Sequence, residues 1–267
     1  MLGRTMIKPL LKSAFGALGY ELKKKAEKTR RGYDLEDLAT AAIARVRPFT
    51  MLPEERLITL YQQAAHCEAV GLRGAFVECG VWKGGSVALM ALANLAHGSV
   101  RRDIHLFDSF TDICEPDAAV DGDRALREVK EWGKGGGVGG KLAPVAGFYD
   151  SMGGAGTLAG NKELLERVVA YDPRALHYHV GWFQDTVPAA PPRIPAIAIL
   201  RLDGDWYAST KVCLEHLYDL VVPGGFVIID DFGAYDGCRK AVDEFRRDRK
   251  INAFLHHIDG EARYWVK

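Results

Sequence analysis

Ile197-Ala198-Ile199-Leu200-Arg201-Leu202-Asp203-Gly204-Asp205 and Phe226-Val227-Ile228-Ile229-Asp230-Asp231 decide the fold. Each is a short apolar, β-branched run that stops at paired carboxylates. Runs of this length without polar alternation read as strands covered on both faces, as in parallel sheets. The carboxyl ends of such strands are also where an open α/β sheet binds its ligands. Two pairs of like charges at neighbouring strand ends repel one another unless a cation lies between them. Oxygen donors of this kind select a hard divalent ion, Mg²⁺, Ca²⁺ or Mn²⁺, over zinc. The plainer reading has Asp203 and Asp205 capping a helix that begins near Ser209, and Asp230 opening a turn. That reading leaves the repulsion unanswered.

The flanking sequence repeats the strand-then-helix pattern, which argues for parallel β/α units. Residues 75–79 read as a first strand, and the turn Gly80 to Gly85 leads into an apolar helix over 86–96. Further strands are predicted at 104–108 and 176–180, ahead of those at 197–202 and 226–229. Cys213, Leu217 and Leu220 recur at helical spacing, and Pro223-Gly224-Gly225 is expected to stop that helix. Another helix is expected over 237–249, with Val242 and Phe245 on its buried face. The tail, 254–258 and 263–266 around Asp259-Gly260, carries a hairpin signal, so one of its strands must run antiparallel to the rest.

Residues 1–70 read as a helical cap and 71–267 as the ligand-binding domain. Leu35-Glu36-Asp37-Leu38 opens one helix, and Pro53 suits the first turn of another that runs to Ala69. The span between Asp108 and Leu176 is far longer than a strand-to-helix connection needs. Its part at 112–162 is read as a lid or substrate insertion. Gly133-Lys134-Gly135-Gly136-Gly137-Val138-Gly139-Gly140 within it cannot hold a helix or strand by itself, and reads as a mobile lid loop or a disordered linker.

The chain has 267 residues, 48% hydrophobic and 26% charged, enough for a sizeable core. Lysine plus arginine equals aspartate plus glutamate at 35 each, so no overall field favours nucleic acid or an acidic membrane. Lys23-Lys24-Lys25, Lys28, Arg30 and Arg31 form a local basic run, read as a solvated surface. Five cysteines, an odd number with no CxxC, read as small buried hydrophobes in a reducing compartment. Lys12 interrupts the apolar pieces at 9–18, which argues against a signal peptide or membrane anchor. A cytoplasmic protein is expected, with no nucleic-acid or membrane partner.

The first loop carries the cofactor reading. Glu78-Cys79-Gly80-Val81-Trp82-Lys83-Gly84-Gly85-Ser86 leaves a strand and opens a helix, whose unpaired N–H groups offer an anion site. It is not GxGxxG, so a dinucleotide pyrophosphate fits poorly. A zwitterionic amino acid fits better. Glu78 would bind an ammonium while the helix start and Ser86 receive a carboxylate, as the methionine portion of S-adenosylmethionine requires. Asp108 ends the second strand where an acid holds ribose hydroxyls. Gly181-Trp182-Phe183-Gln184-Asp185 would border the adenine.

These segments resemble a known family. The stretches 76–86, Leu106-Phe107-Asp108-Ser109-Phe110, Gly181 to Thr186, Leu202-Asp203-Gly204-Asp205-Trp206-Tyr207 and Ile229-Asp230-Asp231-Phe232 look like the macrocin O-methyltransferase (TylF/NovP-like) family, over roughly residues 49–250. The resemblance implies a Rossmann-like class I methyltransferase fold, with a mostly parallel seven-stranded sheet and an antiparallel C-terminal strand. It implies methyl transfer from S-adenosylmethionine to a sugar hydroxyl of a glycosylated natural product, in antibiotic tailoring, with Mg²⁺ or Mn²⁺. Asp203, Asp230 and Asp231 are then the metal ligands, and Asp205 lies close to the acceptor hydroxyl. Glu78, Gly80, Trp82, Ser86, Asp108, Ser109, Trp182, Phe183 and Asp203 are the expected cofactor contacts. Asp205 is expected to be the base, because strand alternation would point it to the same face as Asp203. A homo-oligomer, dimer or higher, is the expected assembly. A catechol-type or other small-molecule O-methyltransferase is the alternative, although no lysine follows Asp203 before Lys211. The other alternative is a non-catalytic nucleotide-binding module.

Overall fold

The apolar runs pair into one sheet. The structure, a computed structural model, describes residues 37–267. Its strands are β1 (Ala75–Cys79), β2 (Ile104–Asp108), β3 (Leu176–Val180), β4 (Ile197–Leu202), β5 (Val221–Ile229), β6 (His256–His257) and β7 (Arg263–Val266). They lie in the order β3-β2-β1-β4-β5-β7-β6. β1 to β5 are parallel, and β7 runs antiparallel to both β5 and β6. The chain builds outward from β1 through β2 to β3, then crosses back to lay β4 beside β1. That reversal opens a crevice at the carboxyl ends of β1 and β4, where a sheet of this class binds ligands.

Alternate residues of each strand serve opposite layers. Phe76, Ile104, Leu106, Ile199, Phe226 and Ile228 pack with the helices Asp37–Val46, Glu54–Ala69 and Gly85–His97. Val77, Cys79, Phe107, Leu200, Val227 and Ile229 pack with the helices Tyr207–Leu217 and Asp236–Asp248. The central strands are therefore apolar on both sides, and the five cysteines are all free and buried. Glu78 and Arg201 break this rule. They pair directly across β1 and β4 inside the first layer, and neither is more than 2% exposed.

One expectation needs correction, and the insertion carries local order of its own. The helix that begins at Tyr207 ends at Leu217, so Pro223-Gly224-Gly225 does not stop it; these residues lie inside β5. There the register slips, with Val221 paired to Ile197 and Phe226 to Ile199, and a bulge accommodates a proline that has no N–H to give. Within the insertion, Gly122–Trp132 is a helix that buries Ala125 and Val129. The glycine-rich run has neither helix nor strand, yet it is stitched in place. Val138 O accepts from Ala118 N, Gly140 N donates to Pro116 O, and Glu115 Oε1 accepts from Gly137 N. The basic run at 23–31, the apolar pieces at 9–18 and residues 1–36 of the helical cap lie outside the described residues. Among those described, no helix is long and apolar enough to cross a membrane.

Candidate active site

Ladder bonds continue past the strand ends and fix the site. Gly80 N donates to Phe107 O at 2.9 Å, Asp203 N to Cys79 O at 2.8 Å, and Asp230 N to Leu202 O at 2.9 Å. Gly80 crosses so close to β4 that a Cβ there would lie 1.8 Å from Asp203 O, with φ at +87°. No other residue fits that position. Asp203, Asp230 and Asp231 bring carboxylate oxygens within 4.8 Å of one another.

Two guanidinium groups meet this cluster. Arg201 donates to Glu78, to Asp203 at 2.9 Å, and to Oδ1 of Asp230. Arg56, from the first turn of the helix Glu54–Ala69, donates to Oδ2 of Asp230 at 2.5 Å, to Asp259 at 2.6 Å and to Glu261 at 2.8 Å. Arg201 was legible as the lone charge in an apolar strand, a residue type almost never buried unless paired. Arg56, 174 residues from Asp230 in sequence, carried no such signal.

Burial raises the carboxyl groups. Glu78 is pushed up to about 7 by burial, with Arg201 opposing it. Asp230 is pushed up to about 6 by burial against the pull of Arg201 and Arg56. Asp205 and Asp231 lie well above the usual carboxylate range, through burial and then the repulsion of neighbouring aspartates. Removing charged groups from water favours their neutral forms, and like charges add to that. This donor set, all carboxylate oxygen, is one that a hard divalent ion would satisfy.

The reason given for Asp205 is corrected. β4 ends at Leu202, and Asp205 sits in a left-handed turn at φ 58°, so strand alternation does not set its direction. It still lines the site, because its N–H donates to Asp231 Oδ2 at 3.1 Å and pulls the turn inward. Trp82 and Phe110 also have positive φ, at 44° and 54°. Strained non-glycine backbone of this kind gathers at functional sites. Trp82 is gripped on several sides. Its carbonyl accepts from Asn161 at 2.8 Å, its indole N–H reaches Gly154 O at 3.2 Å, and Lys83 lies 4.4 Å over its ring.

Two cavities meet at these residues. A narrow one of about 60 Å³ is lined by Asp108, Ser109, Trp182, Phe183 and Gln184. A chamber of about 740 Å³ is walled by Phe49, Met51, Trp132, Phe148, Met152 and Tyr235, and it contains Ser86, Asp230 and Asp231. Gly80, Trp82, Asp108, Tyr149, Asp203 and Asp205 line both. Tyr149, Trp132, Phe148 and Met152 come from the insertion, Phe49 and Met51 from the segment ahead of the helix Glu54–Ala69, and Tyr235 from the start of the helix Asp236–Asp248.

Glu78 is the one predicted site residue that lines neither cavity. Its Oε1 accepts from Ser86 Oγ at 2.5 Å and from Arg201, whereas its buried Oε2 has no partner among the described residues. An orphaned buried acceptor calls for a donor. Ser86 spends its hydroxyl proton on Glu78, which leaves a ligand's carboxylate to the uncapped helix N-terminus at Gly84. Asp108 accepts from the N–H groups of Val81, Trp82 and Phe110, so it fixes the loop and keeps only part of its acceptor capacity for a ligand. Among the described residues no lysine lines either cavity; Lys211 is exposed, 3.2 Å from the Tyr207 hydroxyl.

Known proteins match this arrangement. The family model described as macrocin O-methyltransferase (TylF) matches residues 6–134 and 166–267. The 8-demethyl-8-(2,3-dimethoxy-alpha-L-rhamnosyl)-tetracenomycin-C 4'-O-methyltransferase of Streptomyces olivaceus is 36% identical over 81% of this chain and 74% of its own length. The demethyldecarbamoylnovobiocin O-methyltransferase of Streptomyces niveus is 34% identical over 82% and 75%. The solved structure of the O-methyltransferase NovP superposes with a TM-score of 0.66 at 32% identity, covering 82% of each chain. A Podospora anserina methyltransferase bound to S-adenosylhomocysteine, at 11% identity and a TM-score of 0.51, shares the fold. The strand order and these matches agree: the chain belongs to the macrocin O-methyltransferase family.

Proposed function

We propose that this chain transfers a methyl group from S-adenosylmethionine to a sugar hydroxyl of a glycosylated small molecule, with a divalent ion at Asp203, Asp230 and Asp231. The observation that carries this reading is the junction of the two cavities, which sets a narrow pocket lined by Asp108, Trp182 and Phe183, the carboxylate cluster and a large aromatic-walled chamber side by side. The relatives named above carry the names of a rhamnosyl-tetracenomycin C and of demethyldecarbamoylnovobiocin, and a chamber of about 740 Å³ suits a bulky acceptor of that kind.

Within the site Glu78 would hold the cofactor's amino group, Asp108 its ribose, and Trp182 with Phe183 its adenine. A bound Mg²⁺ or Mn²⁺ would lower the pKa of the acceptor hydroxyl. Asp205 accepts the hydroxyl proton; burial raises its carboxyl and makes it a stronger base than a solvated aspartate. Tyr149 and Trp82 enclose the junction and exclude water, so that alignment supplies much of the rate. Among the described residues Asp205, and no lysine, stands beside Asp203 in the cavities, which favours a carboxylate base over the lysine base of a catechol-type mechanism.

The test is a panel of glycosylated aromatic and macrolide acceptors with S-adenosylmethionine and Mg²⁺, read by mass for a new sugar methyl ether. Asp205→Asn should lower kcat by about 10²- to 10⁴-fold while leaving cofactor and metal affinity unchanged. Loss of metal binding in that variant makes Asp205 a ligand, and normal turnover removes it as the base.

A further inference from the structure

Asp230 offers both of its carboxylate oxygens to arginines. Oδ1 accepts from Arg201 and Oδ2 from Arg56. A divalent ion that draws on Asp203, Asp230 and Asp231 would sit on an oxygen that already faces a guanidinium, so the two cations repel each other and share its lone pairs. The two arginines differ in their freedom to yield that oxygen. Arg201 is 2% exposed, locked in the strand register opposite Glu78, and also bound to Asp203. Arg56 stands at the chamber wall with a second seat already built beside it. Its Nε and one amino group reach Asp259, and the same amino group reaches Glu261. Asp259 is itself fixed, because its Oδ1 accepts the backbone N–H groups of Glu261 and Ala262. Arg124 holds Glu261 from the other side at 2.7 Å.

We infer that Arg56 is a built-in counter-cation of the carboxylate cluster, competing with the divalent ion for Asp230 and yielding by settling on Asp259 and Glu261. The inference rests on the metal reading given above. The exchange involves no bond chemistry, only which cation faces Oδ2. It also ties metal loading to the shape of the chamber. Arg56 joins the helix that follows the wall segment at 49–53 to the turn at 259–261, and residues of both segments line the cavity.

Calorimetric titration of the full chain with MnCl₂ tests this. Arg56→Gln removes the competitor and should bind Mn²⁺ about 5- to 30-fold more tightly, on the order of 1–2 kcal/mol. Arg56→Lys, which cannot span the same partners, should move affinity in the same direction and covers the case in which the glutamine variant folds poorly. Asp259→Asn keeps the turn's acceptor oxygen but weakens the second seat, so Arg56 leans harder on Asp230 and Mn²⁺ binds several-fold more weakly. That weakening should vanish in the Arg56→Gln background, since neighbouring groups that share one partner do not act additively. A merely structural Arg56 would instead give weaker or unchanged Mn²⁺ binding in both Arg56 variants, and that result overturns the inference. Asp203→Asn tests the metal site separately from the role of Arg56. If it binds Mn²⁺ as the wild type does, the metal site itself is wrong; if it does not, the Arg56 results stand on their own.

Discussion

Glu78 and Arg201 show how two charges survive inside a sheet. Each alone would carry a heavy desolvation penalty, and paired they still leave one carboxylate oxygen unsatisfied. That residual acceptor is the strongest physical argument for a cationic ligand group here. Glu78→Gln should weaken S-adenosylhomocysteine binding by about 10- to 150-fold, the value of a charge-assisted hydrogen bond of about 1.5–3 kcal/mol. Because burial holds Glu78 near 7, its ionised form is the minority below that pH. Calorimetry of the wild type should show affinity falling as pH drops below 7 and levelling off above 8. The Gln variant should show no such limb, and an unchanged wild-type affinity down to pH 6 would remove Glu78 from the site.

At the scale of elements, the outer strand pair β2–β3 carries a stack of histidines. His105 lies 4.4 Å from the His177 ring, and its Nδ1 is 3.0 Å from His179 Nε2. Burial lowers His105 to about 3 and His179 to about 4, with the neighbouring histidines adding to the effect. The folded chain therefore keeps both neutral, whereas the unfolded chain protonates them near 6.5. The unfolded state binds more protons below 6.5, so stability is full above that pH and is lost as pH falls toward 4, by at most about 1.4 kcal/mol per pH unit per histidine. His105→Phe should flatten the decline of Tm between pH 6.5 and 4.5; a decline as steep as the wild type's would show that other groups govern acid unfolding. β1, β2, β4 and the end of β5 were legible because each is a short, mostly apolar run closed by glycine or aspartate. The helix Gly122–Trp132 was not, since it buries only the narrow stripe of Ala125 and Val129 beneath a charged face. The acidic strand ends named the site, but the turn that aims Asp205 and the reach of Arg56 are tertiary facts without a local signature.

For the molecule as a whole, formal charges cancel while the crevice concentrates acid. Asp108, Asp203, Asp205, Asp230, Asp231, Asp259 and Glu261 line the chamber against Arg56 and Arg124, both already in ion pairs. A divalent ion reduces that imbalance, and any ligand that binds only the folded chain stabilises it by mass action. S-adenosylhomocysteine at 100 times its Kd should add about 2.7 kcal/mol. For a chain of this size that corresponds to a rise in Tm of roughly 5–11 °C. NAD should give no shift, because the first loop lacks the glycine pattern that seats a pyrophosphate. Mg²⁺ or Mn²⁺ should raise Tm further in the wild type and much less in Asp203→Asn, Asp230→Asn or Asp231→Asn, while these variants keep their response to S-adenosylhomocysteine. Methyl transfer should stop in excess EDTA and return with Mg²⁺. Full turnover in the chelator would mean that the arginines alone answer the charge of the cluster, and that the acceptor hydroxyl is activated by Asp205 without a metal.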